Sequence, residues 1–202
     1  MVRQVCCDVA DGGEAIESFF PDRNFAGDIL TAYYTDYEPE SSFVAVSEGK
    51  VVAYINGCLD NRRYGLVMLF LIMPRVMMKG LVRGVFWRVE FWQILKATLK
   101  NWRRLISWRQ ESFHSHQGHM HIGVSKLFRH QRVGEQLVHT FLKYVKEHKT
   151  QHVTASVHES NTAACRFFER LGFVPQERHP MVMAYGNSFK GYYSILYVKT
   201  MV

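Results

Sequence analysis

Between His119 and Gly172 the spacing of apolar residues switches from every second position to every third or fourth, and then does so again. Few folds accept that order. Residues 119–124 alternate and read as a strand. Residues 125–132 form a polar, basic loop. Over 134–148, Leu137, Val138, Phe141, Leu142 and Val145 share one face of a helix. Residues 152–157 alternate again, with Val153, Ala155 and Val157 on one side. Asn161 is suited to cap a second helix, whose apolar face is Ala164, Phe167, Phe168 and Leu171, and Gly172 is suited to end it. Strand, helix, strand, helix predicts a parallel pair joined by a crossover, hence an α/β fold. Upstream, Phe25, Ile29, Leu30, Tyr33 and Tyr34 predict a helix that is over by Pro39. Residues 43–47 and 51–59 flank Glu48-Gly49-Lys50 and predict a hairpin. Residues 181–185 and 192–200 predict two closing strands.

The chain has 202 residues, 48% of them hydrophobic and 21% charged, which fits one globular domain over 1–202 and excludes disorder. Its cysteines, Cys6, Cys7, Cys58 and Cys165, form no CxxC pair. Neither a disulfide framework nor a cysteine zinc site is expected, and a reducing, cytoplasmic setting is. Residues 1–8 lack the apolar core of a secretory signal. The longest nearly apolar run, 64–73, is half of the ~20 residues that span a bilayer, which predicts no membrane span.

The net charge of +7 is not spread evenly. Residues 62–110 hold eleven basic side chains and one acid, Glu90, while the rest of the chain is mildly acidic. All four tryptophans (Trp87, Trp92, Trp102, Trp108) fall in the same stretch. This basic, aromatic insert, about 63–116, reads as helical pieces over 66–73 and 78–108, interrupted at Pro74. Leu81, Val85, Val89, Trp92, Leu95, Leu99 and Trp102 keep helical spacing. The plain reading buries that stripe on the body and leaves a solvated basic back; the sharper ones are a lid over the acceptor side or a helix on an anionic membrane surface. No motif for specific nucleic-acid reading is present. His114, His116, His119 and His121 fall within eight residues with no carboxylate among them, so no metal site is expected.

Phe128-Arg129-His130-Gln131-Arg132-Val133-Gly134 follows a predicted strand and opens a predicted helix. The unpaired N–H groups of such a helix end favour an anion, and Arg129 and Arg132 add charge. Arg129-His130-Gln131-Arg132-Val133-Gly134 resembles the Arg/Gln-x-x-Gly-x-Gly/Ala loop of the GNAT superfamily of acyl-CoA-dependent N-acetyltransferases. Asn161-Thr162-Ala163-Ala164-Cys165-Arg166-Phe167-Phe168-Glu169-Arg170-Leu171-Gly172-Phe173 resembles that family's Asn-x-x-Ala-x-x-Phe-Tyr-x-x-x-Gly-Phe. The resemblance covers 24–62 and 117–202, and the insert between the family's third and fourth strands is similar to that of a bacterial branch and of the acetyltransferase-like domain of O-GlcNAcases. It implies a GNAT-type fold, a mixed and mostly antiparallel sheet with flanking helices.

The resemblance further implies acetyl-CoA as co-substrate, with no metal, lying where the family's fourth and fifth strands (here 119–124 and 152–157) diverge. Cofactor-binding residues would be Gly123, Val124, Arg129, His130, Gln131, Arg132, Val133, Gly134, Asn161 and Phe168. The Val124 N–H would polarise the thioester carbonyl, and an acceptor amine would attack directly. His119 and His121, two apart on one strand, are the candidate bases, with Glu159 second; equally, each histidine could be a polar strand residue with no catalytic part. Three departures stand out. Arg132 replaces the first loop glycine. Phe168 replaces a tyrosine that serves the departing thiolate. Residues 1–7 fall where the end of the first helix is expected, so the family's first strand is expected to be missing and the start short. Arg132 and Phe168 also support an acetyltransferase-like binding module that has lost catalysis, and the insert a membrane or polyanion adaptor. A homodimer is compatible with the sequence, and the acceptor is not readable from it.

Overall fold

The computed structural model describes residues 2–8, 22–100, 117–185 and 188–201. The two cysteines of α1 (Val2–Asp8) are buried against α2 (Arg23–Asp36) and Tyr54. Asp22 caps α2 by accepting from the Phe25 N–H at 2.8 Å. β1 (Ser42–Ser47) and β2 (Lys50–Cys58) form the expected hairpin. Its two turn residues, Glu48 and Gly49, both have positive φ, 49° and 72°, as a tight hairpin of this hand requires.

The insert departs from expectation at Pro74. α3 (Asn61–Val67), capped by Asp60, runs through a π-helical turn (Met68–Ile72) straight into α4 (Met73–Val82). Pro74 does not break it, because the π turn immediately before widens the backbone where a proline ring would strike the preceding carbonyl. The result is one helix of 22 residues with mean hydropathy 1.8 in its most apolar window, long and apolar enough by length and composition to cross a membrane. It is longer than the nearly apolar run of 64–73 read from the sequence. Gly84, at φ 68°, turns the chain into α5 (Val89–Lys100). Residues 101–116, with Trp102, Trp108, His114 and His116, lie outside the described residues.

β3 (Gln117–Val124), α6 (Val133–Glu147), β4 (His152–His158) and α7 (Thr162–Arg170) follow in the predicted order. The last two strands, β5 (Val174–Tyr185) and β6 (Ser188–Thr200), are longer than predicted. Pro175 and Pro180 obscured β5 in the sequence. As the edge strand it has a side where a missing N–H costs nothing.

The sheet order is β1-β2-β3-β4-β6-β5, antiparallel throughout except for β3–β4. Each face carries its own core. On one, Ile55, Met120, Val153, Ala155 and Val157 pack under Val138, Phe141 and Val145 of α6 and Phe168 of α7. On the other, Cys58 lies with Phe25, Tyr33 and Tyr34 of α2 and with Met68, Ile72 and Val76 of the insert. The insert is therefore part of the second core. Its expected buried stripe is not: of Leu81, Val85, Val89, Trp92 and Leu99, only Val85 is buried. The residues that meet the core are instead those at Gly65, Met68, Ile72, Val76 and Gly80.

Candidate active site

The parallel pairing of β3 and β4 is short. It runs from Gln117↔His152 to His119↔Thr154 and ends there, although β3 continues to Val124 and β4 to His158. Beyond His119 the two strands separate, as the resemblance implied. Ser125 N donates to Val52 O at 2.9 Å. By the two-residue alternation of a strand, the N–H groups of Ile122 and Val124 therefore point the other way, into the gap.

The 129–134 loop lies at the mouth of this gap. The first turn of α6 closes with Gln136 N on Arg132 O at 3.0 Å, so the N–H groups of Val133, Gly134 and Glu135 precede the first helical bond. The helix starts at Val133, one residue before the position predicted. His130 and Arg132 are left-handed, at φ 63° and 61°. This accounts for the family's glycine at the position Arg132 holds, since a side chain there costs about 1–2 kcal/mol. A Cβ on Gly134 would meet Val124, Phe167 and Ile122 at 3.4–3.7 Å, ordinary contact distances. Nothing among the described residues requires a glycine here. Arg129 Nε donates to Val124 O at 3.4 Å and Gln131 Nε2 to Leu127 O at 3.1 Å, bracing the loop. Asn161 caps α7, its Oδ1 accepting from Ala164 N at 3.1 Å. Phe168 is not on the open face. It is buried, with its ring against Phe173 and Tyr197, and Phe167 is the member of that pair that approaches Gly134.

His119 and His121 lie on the opposite face of the sheet from Met120, towards α2 and the insert. Their environments differ. His119 has both nitrogens engaged: Tyr34 Oη is 2.6 Å from Nε2, and Asn61 Oδ1 is 2.5 Å from Nδ1. The amide oxygen can only accept, so Nδ1 carries the proton and Nε2 accepts from the tyrosine. Tyr64 crosses the imidazole edge-on, ring centres 4.6 Å apart. Burial, reinforced by His121, lowers the His119 pKa to about 3. His121 packs edge-on to Tyr34 and His119, yet the residue is exposed. The protein around it holds its pKa below the ordinary imidazole value, so it is neutral at pH 7. Paired with it on the neighbouring strand β2, Asn56 is 1% exposed, and its amide nitrogen and oxygen find no partner among the described residues.

Glu159 lies apart from the histidines, past the end of β4. Its two oxygens accept from Arg178 at 2.8 Å each, and that bidentate bond lowers its pKa. Tyr34, Asn61 and Tyr64 were missed in the sequence: they are far from His119 along the chain, Tyr34 by 85 residues and Asn61 by 58. Glu38, also missed, is 2% exposed and takes Tyr33 Oη at 2.6 Å and Leu59 N at 2.9 Å. It thereby fixes the junction from which Asn61 reaches His119.

The sequence matches the Acetyltransferase (GNAT) family over residues 14–173. The chain belongs to that family. Its members are acetyl-CoA-dependent N-acetyltransferases. A search of curated proteins finds no match. Among solved structures, SsHAT is similar at TM-score 0.69 and 21% identity, over 100% of this chain and 92% of that one. A ribosomal-protein-alanine N-acetyltransferase from Brucella melitensis is similar at 0.56 and 13%, over 98% and 91%. YncA from Salmonella typhimurium, a putative acetyltransferase solved with acetyl-CoA, is similar at 0.50 and 11%, over 90% and 75%. At these identities the likeness is one of fold.

Proposed function

We propose that this GNAT member transfers an acetyl group from acetyl-CoA to an amine, with His121 as the base. One observation carries the reading: the inward N–H groups of Ile122 and Val124 share a strand with an exposed, neutral imidazole that makes no hydrogen bond among the described residues. The pyrophosphate would rest on the first-turn N–H groups of α6 at 133–135, with Arg129 and Arg132 beside it. The Val124 N–H would polarise the thioester carbonyl. The amine nitrogen bonds to the acetyl carbon as the carbon–sulfur bond breaks. The amine's proton passes to His121 Nε2 or Nδ1, directly or through water. The thiolate leaves as such and is protonated by solvent.

His119 serves as a positioning residue in this scheme. With both nitrogens bonded and its pKa near 3, it holds Tyr34 and Asn61 around the acceptor side. Arg132 in a glycine position and Phe168 in a tyrosine position favour a second reading, a binding module without turnover. Thiol release from acetyl-CoA over a panel of small amines, polyamines and peptide N-termini separates the two. Under the first reading His121→Ala lowers kcat by about 10²–10⁴ and leaves acetyl-CoA affinity unchanged. Tight acetyl-CoA binding with no thiol release from any amine would establish the second. A His121→Ala enzyme with the wild-type pH–rate profile would remove His121 from the chemistry.

A further inference from the structure

The outward face of the insert helix is unusual for a protein surface in water. The helix Asn61–Val82 turns Gly65, Met68, Ile72, Val76 and Gly80 inward. Four-residue steps put Leu66, Phe70 and Met78, with Leu81 and Val82, on the other side, all exposed, Phe70 at 66% and Val82 at 85%. Only 28% of its most apolar window is buried. At the turn that follows, Trp87 is 84% exposed. Single exposed apolar residues are ordinary, but a row of them along one helix is the mark of a surface that meets something apolar.

Charge identifies the partner. Residues 61–100 hold eight basic side chains and one acid, Glu90. Two of the basic ones are neutralised within the protein, Lys79 by Asp28 at 3.0 Å and Arg83 by Asp22 at 3.3 Å, and so tie the helix to α2. Arg63 and Arg75 turn to the carbonyl and hydroxyl of Tyr37, which bear no charge. Among the described residues, Arg62 and Lys96 make no ion pair. A second copy would press one cationic surface against another. A nucleic acid would satisfy the cations and leave the Leu66–Phe70–Leu81 row in water. A bilayer spanned by this helix would have to take in Arg75 and Lys79 and strip its inner face from α2. An anionic lipid surface takes apolar side chains between its headgroups and basic ones beside its phosphates, with tryptophan at the boundary.

We propose that the outer face of 61–87 docks on an anionic membrane surface, the helix lying in its plane. The proposal is independent of the acetyl-transfer reading. The test is sedimentation of the full chain with phosphatidylcholine vesicles, with and without 30 mol% phosphatidylglycerol. It is run in about 0.1 M and 0.5 M NaCl, because such binding is screened by salt. The expected result is binding to the phosphatidylglycerol vesicles that weakens at high salt. The doubly substituted Phe70→Asp/Leu81→Asp chain should bind at least about tenfold more weakly. Both positions are exposed, so its thermal midpoint and its affinity for acetyl-CoA should equal those of wild type. Failure to sediment with phosphatidylglycerol vesicles at low salt overturns the proposal. So does binding indifferent to the double substitution, or membrane association that survives carbonate extraction, which would mean a spanning helix. A wild-type dimer that the substitution dissociates would overturn it too, since the face would then be a self-interface.

Discussion

Two residues with opposite demands define the 129–134 loop, where the proposed function places the pyrophosphate. Arg132 adopts a left-handed conformation that suits glycine; Gly134 has a conformation and surroundings that would accept a side chain. Gly134→Ala should therefore leave stability unchanged or raise it by up to about 1 kcal/mol, while its methyl group stands where a phosphate would approach the backbone. Calorimetry should find acetyl-CoA affinity reduced by at least about tenfold with no loss of thermal midpoint, and equal affinity would place the pyrophosphate elsewhere. The histidines give a second residue-level prediction, in pH. The folded pKa of His119 lies below its unfolded value of ~6.5 and near 3. The unfolded chain then binds the extra proton between those values. The stability this neutral imidazole contributes is present above about pH 6.5 and is lost as pH falls towards about 3. Urea midpoints measured from about pH 7 down to pH 4 should fall. They should fall less in His119→Gln, which keeps a polar group between Tyr34 and Asn61 but does not titrate. Identical slopes would show that His119 is not held neutral.

Among the elements, the insert helix shows what sequence spacing carries and what it does not. Spacing located the buried faces of α6 and α7 because each has one apolar side and the body lies against it. The stripe from Leu81 to Leu99 was spaced equally well, yet most of it faces solvent. Period tells which residues share a face, not what covers that face. Pro74 misled for a related reason: its cost depends on the local pitch, and a π turn is not visible in residue types. Tyr34, Asn61 and Tyr64 could not be placed at the site because only the packing of α2 and the insert on β3 brings them to His119. The helix offers its own check. Ile72 is 2% exposed and lies in the second core, whereas Phe70, two residues away, is 66% exposed. Ile72→Ala should cost about 2–5 kcal/mol, and Phe70→Ala about 0.5 kcal/mol or less. Denaturant midpoints giving the reverse order, or equal costs, would mean that the helix is rotated and that the π turn is misplaced.

At the scale of the whole molecule, one sheet separates two cores. The face under α6 and α7 has the larger core and borders the gap where β3 and β4 part. The other face, under α2 and the insert, presents the histidines. A ligand in the gap should therefore strengthen the molecule unevenly. Acetyl-CoA at about 100 times its Kd stabilises by about 2.7 kcal/mol, which for a chain of this size raises the midpoint by about 5–10 °C. Hydrogen exchange locates that gain. Amides at 122–125 and 132–136 should slow most, because they lie at the open end of the strand pair and in the helix turn that would receive the pyrophosphate. Amides at 66–82 should be unaffected, since their hydrogen bonds are internal to a helix that packs on the other face of the sheet. Protection that appears across 66–82 with none at 122–136 would move the cofactor to the insert side of the sheet and reverse the assignment of the two faces.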